Sequence, residues 1–179
     1  GNSVSTSYTW YTDLTDPDVS VSSGPADPTN DDSASFTVTS SDDYSMSGTA
    51  CDLDGASVGC ADLTEDLAEG SHTFTATATD AAGNSASDSY TWVVDTIAPS
   101  VSVSGPSDPS NSADADMTVT SSDGGSGLAS TTCTVDNVAA NCGDDLTGLS
   151  DGSHTMAATA TDNAGNSASD SYTWVVDTI

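Results

Sequence analysis

The chain has 179 residues, with 28 Asp and Glu, two His and no Lys or Arg, for a formal net charge of −28. Ordinary composition would supply roughly 20 basic residues, so their absence is a selected property. A surface of one sign excludes nucleic acid and anionic membrane as natural partners, and catalysis that leans on Lys or Arg lacks its groups.

The chain opens with GNSVSTSYTW at Gly1, and GNSASDSYTW returns at Gly83 and Gly165, a step of 82 residues each time. Trp10, Trp92 and Trp174 keep that step, as do Asp13, Asp95 and Asp177. A fixed period of this length marks an array of domains, each too large to be a solenoid turn. The expected division is a strand-like segment over 1–15, a first domain over 16–97 and a second over 98–179. The opening segment reads either as the last strand of a preceding repeat or as a strand donated to a neighbouring subunit. The first reading is favoured, because residues 165–179 already complete the last repeat.

The apolar residues then alternate with period 2, the signature of half-buried antiparallel strands. Val19 and Val21 begin a first strand. Ala34, Phe36 and Val38 alternate with Ser35 and Thr37 in a second, and a third starts at Ser47. A short returning strand starts at Val58, and an undefined crossing follows between Leu63 and Leu67. Next, His72, Phe74, Ala76 and Ala78 face one way, against Thr73, Thr75, Thr77 and Thr79. The hairpin turn AAGN leads to a last strand with Tyr90, Trp92 and Val94 on one face. About seven short strands per repeat predict an all-β fold of tandem two-sheet sandwiches.

Cys51 and Cys60 recur as Cys133 and Cys142. A turn over Asp54-Gly55-Ala56-Ser57 places Cys51 opposite Cys60 and Leu53 opposite Val58; the second repeat places Cys133 opposite Cys142 and Val135 opposite Ala140. Directly opposed residues come within disulfide range. The expectation is one disulfide inside each domain, in an oxidising, extracellular setting. Reduced buried thiols and bonds between neighbouring chains are the alternatives. With no signal peptide or membrane-length apolar run in the sequence, the chain is expected to be cut from a longer secreted precursor.

The C-x8-C pair with CDLDG at Cys51, the DGSHT step at Asp151, the TD-x-AGN hairpin at Thr161 and the YTWVVDTIAP run resemble the bacterial Ig-like repeats of large extracellular and cell-surface proteins. The resemblance covers both repeats and the opening strand, and implies tandem immunoglobulin-like β-sandwiches. Such repeats are similar to those in adhesin stalks, sheath and fibre proteins, and spacers of secreted enzymes. The total lack of Lys and Arg departs from that pattern.

In such a sandwich the segment before a domain lies beside that domain's own loops. Asp95 then meets Asp123 in one loop and Asp162 and Asn166 in another. The first join offers Asp13, Asp16 and Asp18 with Asp42, Asp43, Asp80 and Asn84. The expected ligand sets are Asp13, Asp42, Asp80 and Asn84, and Asp95, Asp123, Asp162 and Asn166. All-oxygen clusters suit Ca²⁺, and the resemblance implies Ca²⁺-rigidified linkers. The alternative is that Asp80 and Asp162 only cap hairpin turns. His72 and His154 read as structural, and the Thr rows as a solvated strand face. No catalytic constellation stands out, so no enzyme is expected.

Function is therefore expected to be a stalk or spacer of an extracellular fibre or adhesin, stiffened by calcium, with neighbouring repeats or identical subunits as partners and no membrane insertion. The alternatives are a filament subunit exchanging residues 1–15 and a carbohydrate- or ice-binding module.

Overall fold

The computed structural model describes residues 1–63 and 66–179. Strands carry every regular element: β1 (Asp18–Ser23), β2 (Ala34–Ser35), β3 (Thr37–Ser41), β4 (Met46–Leu53), β5 (Ala56–Val58), β6 (Asp62–Leu63), β7 (Gly70–Asp80), β8 (Ser85–Val94), β9 (Ser100–Ser104), β10 (Thr118–Ser122), β11 (Leu128–Val135), β12 (Val138–Ala140), β13 (Gly152–Asp162) and β14 (Ser167–Val176). No helix is long and apolar enough to cross a membrane among the described residues.

Each repeat builds the same four-stranded sheet, ordered β5-β4-β7-β8 in the first and β12-β11-β13-β14 in the second. A two-stranded ribbon accompanies each, β1-β3 and β9-β10. The first repeat adds the small β2-β6 pair; in the second, an isolated bridge between Ala115 and Leu146 stands there. Part of the crossing expected between Leu63 and Leu67 falls on residues 64 and 65, outside the described residues.

The alternation that predicted these strands is the alternation that buries them. Along β7, His72, Phe74, Ala76, Ala78 and Asp80 are buried, and the intervening Thr residues are half-exposed. Outward hydroxyls pair across strands, as in Thr73–Thr91 at 3.1 Å and Thr155–Thr173 at 2.9 Å.

Contacts divide the chain into two compact units, residues 1–25, 33–65 and 72–91, and residues 26–32, 66–71 and 92–179. In the first, Phe36 stacks on Phe74 at 4.0 Å and meets the edge of Tyr90. In the second, Val103 and Met117 from one side pack with Cys133, Met156, Trp174 and Val176 from the other. Asp170 points inward, and its carboxylate accepts the Val103 N–H at 2.8 Å. Asp88 does the same for Val21. An inward carboxylate thus ties sheet to ribbon in both units.

The 82-residue period survives two local differences. The β1-β3 pairing carries a bulge between Val21 and Ser23 that β9-β10 lacks. The second repeat restores the length in its loop 123–127, where the first has only residues 42–45.

One expectation needs correction. The hairpin turn is the two-residue Asp54-Gly55, so Cys51 faces Val58 and Leu53 faces Ala56. Both turn residues have positive φ, 51° and 82°, the conformation that matches strand twist in two-residue hairpins. Asp136 and Asn137 repeat it at 50° and 67°, and Cys133 faces Ala140. The register moves by two residues, which preserves the face, and the disulfides Cys51–Cys60 and Cys133–Cys142 form with Cα–Cα 5.2 Å. Residues 1–17 carry no strand in this structure, and Trp10 is 71% exposed while Trp92 and Trp174 are fully buried.

Candidate cation site

Three strand ends converge on the second carboxylate cluster. Asp95 directly follows β8, Asp123 follows β10, and Asp162 closes β13. One carboxylate oxygen from each lies within 4.8 Å of the others. Asp95 and Asp162 are buried, at 1% and 2% exposure. All three belong to the second unit. Asp13, Asp42 and Asp80 form the matching cluster within the first. Asp16, Asp18 and Asp43 are outside both clusters.

Short loops hold these carboxylates by backbone N–H groups. Asp162 Oδ1 accepts from Gly165 and Asn166 at 2.7 and 2.8 Å. Gly165 has φ +98°, which a side chain would resist. Asp123 Oδ2 accepts from Gly125 and Gly127, and Asp95 Oδ2 from Ser126 at 2.6 Å. A Cβ on Gly125 would stand 2.5 Å from the Asp95 carboxyl, so this glycine makes the cradle into which Asp95 fits. In the first cluster Tyr44 takes the corresponding loop position, and Asp13 is only half-buried.

The bonds set the acidity. The Ser126 hydrogen bonds hold the Asp95 carboxyl below its ordinary range, against the opposing push of burial. Burial pushes the Asp80 carboxyl up, but the Asn84 amide and the N–H groups of Asn84, Gly83 and Ala82 pull it down further. Both are therefore ionised at neutral pH. Carboxylates gathered this closely repel one another, and no Lys or Arg exists to relieve that repulsion.

The two Asn residues take a different part from the ligand role the sequence suggested. Asn166 Nδ2 donates to Asp162 Oδ2 at 2.8 Å and to the Asp95 carbonyl at 2.7 Å. Asn84 Nδ2 donates to Asp80 Oδ2 and to the Asp13 carbonyl. Because every partner is an acceptor, the nitrogen faces the cluster. Each Asn fastens the segment before a sandwich to the hairpin that carries the buried Asp.

The all-oxygen donor set fits a hard divalent cation such as calcium. Oxygens bound at about 2.3–2.6 Å lie at most about 5 Å apart across the ion, and one carboxylate oxygen from each of the three residues lies within 4.8 Å of the others. Asp42 Oδ1 is buried without a hydrogen-bond partner among the described residues, and it belongs to the first cluster.

Residues 10–96 match the family model of the bacterial Ig-like domain. That stretch carries the bacterial Ig-like domain. Among solved structures, the chain is similar to the fibronectin(III)-like modules of Clostridium thermocellum CbhA, at 16% identity and TM-score 0.48, over 89% of this chain and 94% of that one. It is also similar to a tetra-tandem repeat in the extending region of a large adhesion protein, at 28% identity and TM-score 0.37. That match covers 91% of this chain and 49% of the other, so the chain spans about half its length. The third is Bacteroides ovatus SGBP-B in complex with a mixed-linkage heptasaccharide, at 13% identity and TM-score 0.36, over 93% of this chain and 71% of that one. No curated protein matches. In the Ig-like domain, Asp13 precedes the first strand, Asp42 follows β3 and Asp80 closes β7.

Proposed function

We propose that the chain is a stalk or spacer segment of an extracellular, adhesin-type protein, with calcium bound at both carboxylate clusters. The observation that carries this reading is the repetition of the cluster. In both copies a carboxylate from the segment preceding the sandwich meets one carboxylate from each of two loops. A cation there would lock the entering segment to the loops, and a locked entry is what a stiff array needs. The residues that would hold it are Asp13, Asp42 and Asp80, and Asp95, Asp123 and Asp162. When bound, calcium supplies charge neutralisation and a rigid cross-link, with no reaction to catalyse. The two disulfides support an oxidising, extracellular location.

Calorimetric titration of the intact chain with Ca²⁺ tests this. Two sites are expected, falling to one in Asp95→Ala; absence of binding at millimolar Ca²⁺ removes the proposal.

A second reading rests on the opening segment. Val4, Tyr8, Trp10, Tyr11 and Leu14 are exposed by 71% or more, and the same motif in β8 and β14 buries its Trp completely. Addition of this segment to a neighbouring copy would make filaments, and light scattering that grows with concentration, and stays flat in Trp10→Ser, is its expected sign.

A further inference from the structure

With no Lys or Arg, the two His residues are the only side chains in this protein able to carry positive charge. Both are 8% exposed, and both meet a carboxylate at the tip of the adjoining hairpin. His72 Nδ1 lies 2.8 Å from Asp54 Oδ2, and His154 Nδ1 lies 2.7 Å from Asp136 Oδ2. The other oxygen of each Asp accepts the N–H of the next strand residue, Thr73 or Thr155. In the second unit the opposite ring nitrogen is also resolved: His154 Nε2 lies 2.9 Å from the Ser150 carbonyl oxygen.

This geometry fixes the charge. A carboxylate and a backbone carbonyl only accept. A neutral imidazole has one N–H and one lone pair, so one of its two contacts would set lone pair against lone pair. The imidazolium donates from both nitrogens and satisfies both. The Trp174 ring on β14 lies 5.8 Å from the imidazole, within the range at which an indole attracts a cation. The groups facing the ring are thus Asp136 from the β11-β12 turn, Ser150 from the segment entering β13, and Trp174 from β14. No other charged side chain hydrogen-bonds to it among the described residues.

We propose that His154 is held as imidazolium at neutral pH and acts as a latch, tying the β11-β12 hairpin tip and the segment at Ser150 to the start of β13, so that alkaline pH releases both. The Ser150 and Asp136 bonds raise the His154 pKa, against the opposing effect of burial, and the His154 bond lowers that of Asp136. A raised folded pKa means that the latch contributes fully below the unfolded value and is lost as pH rises through the folded one. His72 with Asp54 makes the equivalent contact in the first unit. Within the second unit the latch sits at the end of β11 and start of β13, whereas Asp123 and Asp162 flank the other ends of these strands. It therefore titrates apart from the carboxylate cluster.

The test is ¹⁵N NMR of the histidine ring in the full chain carrying His72→Gln, which leaves one imidazole to read. Both ring nitrogens are expected to be protonated at pH 7, with a titration midpoint above the ordinary value of about 6.5. Asp136→Asn should lower that midpoint. Exchange of the Asp136 amide, which donates to the Thr155 carbonyl at 2.9 Å, should accelerate across the midpoint by more than the tenfold per pH unit of base catalysis. A midpoint at or below about 6.5, or one unprotonated nitrogen at pH 6, overturns the proposal. The ring titration leaves the latch residues intact, so it decides even where Asp136→Asn fails to fold.

Discussion

All acidic residues but Glu65 and Glu69 are Asp, and a short carboxylate reaches a nearby backbone N–H where a longer one overshoots. Asp54 accepts from Thr73, Asp80 from Gly83 and Asn84, Asp27 from Val93, and Asp108 from Val175. The turn-filling role and the proposed cation role, which the sequence left as alternatives, fall on the same side chains: Asp162 caps its hairpin with Oδ1 and belongs to the carboxylate cluster. Gly125 shows how tightly one such carboxylate is seated. Gly125→Ala forces the loop off Asp95 and should cost about 1–3 kcal/mol, as overpacking does, read as a lower urea midpoint at unchanged m-value. For Asp54, the His72 bond, followed by the Thr73 N–H, holds the carboxyl below its ordinary range. Its contribution is present above the unfolded carboxylate value and is lost as pH falls through the folded one. The melting-temperature gap between the parent chain and Asp54→Asn should therefore be widest near neutral pH and close in acid. A gap that widened as pH fell through the acid range would contradict this assignment.

At the scale of elements, strand identity was legible because each strand keeps one strict alternation. His72 through Ala78 and Tyr90 through Val94 were readable as inward faces from spacing alone, and they are inward. Both carboxylate triads were legible too, since the strand order places the entering segment and two loops together. The hairpin register was not: alternation is blind to a shift of two, and only the Asp-Gly pair, a signal for a two-residue turn, distinguishes the registers. The inward Asp88 and Asp170 were also missed, because a lone acid within an alternating run reads as solvated until a ribbon N–H is known to lie opposite. Two predictions belong here. Gly55 has φ +82° and open space where a Cβ would go, so Gly55→Val should cost about 1–2 kcal/mol through backbone conformation alone. Each disulfide closes a separation of nine residues and should contribute about 2–3 kcal/mol. Replacing Cys133 and Cys142 by Ala should lower the denaturant midpoint accordingly, and the parent chain in reductant should lose stability in the same direction.

For the whole molecule, a net charge of −28 acts on stability as a standing repulsion. Monovalent salt screens that repulsion everywhere, whereas a divalent ion bound as proposed would act at two places. A general effect of ionic strength is thus distinct from a specific effect of calcium, and both are expected. The resemblance of the motifs to surface-protein repeats and the match of residues 10–96 to the bacterial Ig-like domain agree on fold, and the carboxylate triads add the proposed mechanism by which such a fold would become a rigid spacer. The most direct measurement is thermal unfolding of the intact chain in Ca²⁺ and in chelator at fixed ionic strength, with Asp95→Asn beside it. A melting temperature raised by Ca²⁺ well beyond the change given by the same ionic strength of NaCl, with the rise reduced in Asp95→Asn, is the predicted result. Equal melting temperatures with Ca²⁺ and with chelator would contradict the account and leave an acidic spacer without cation-locked entries.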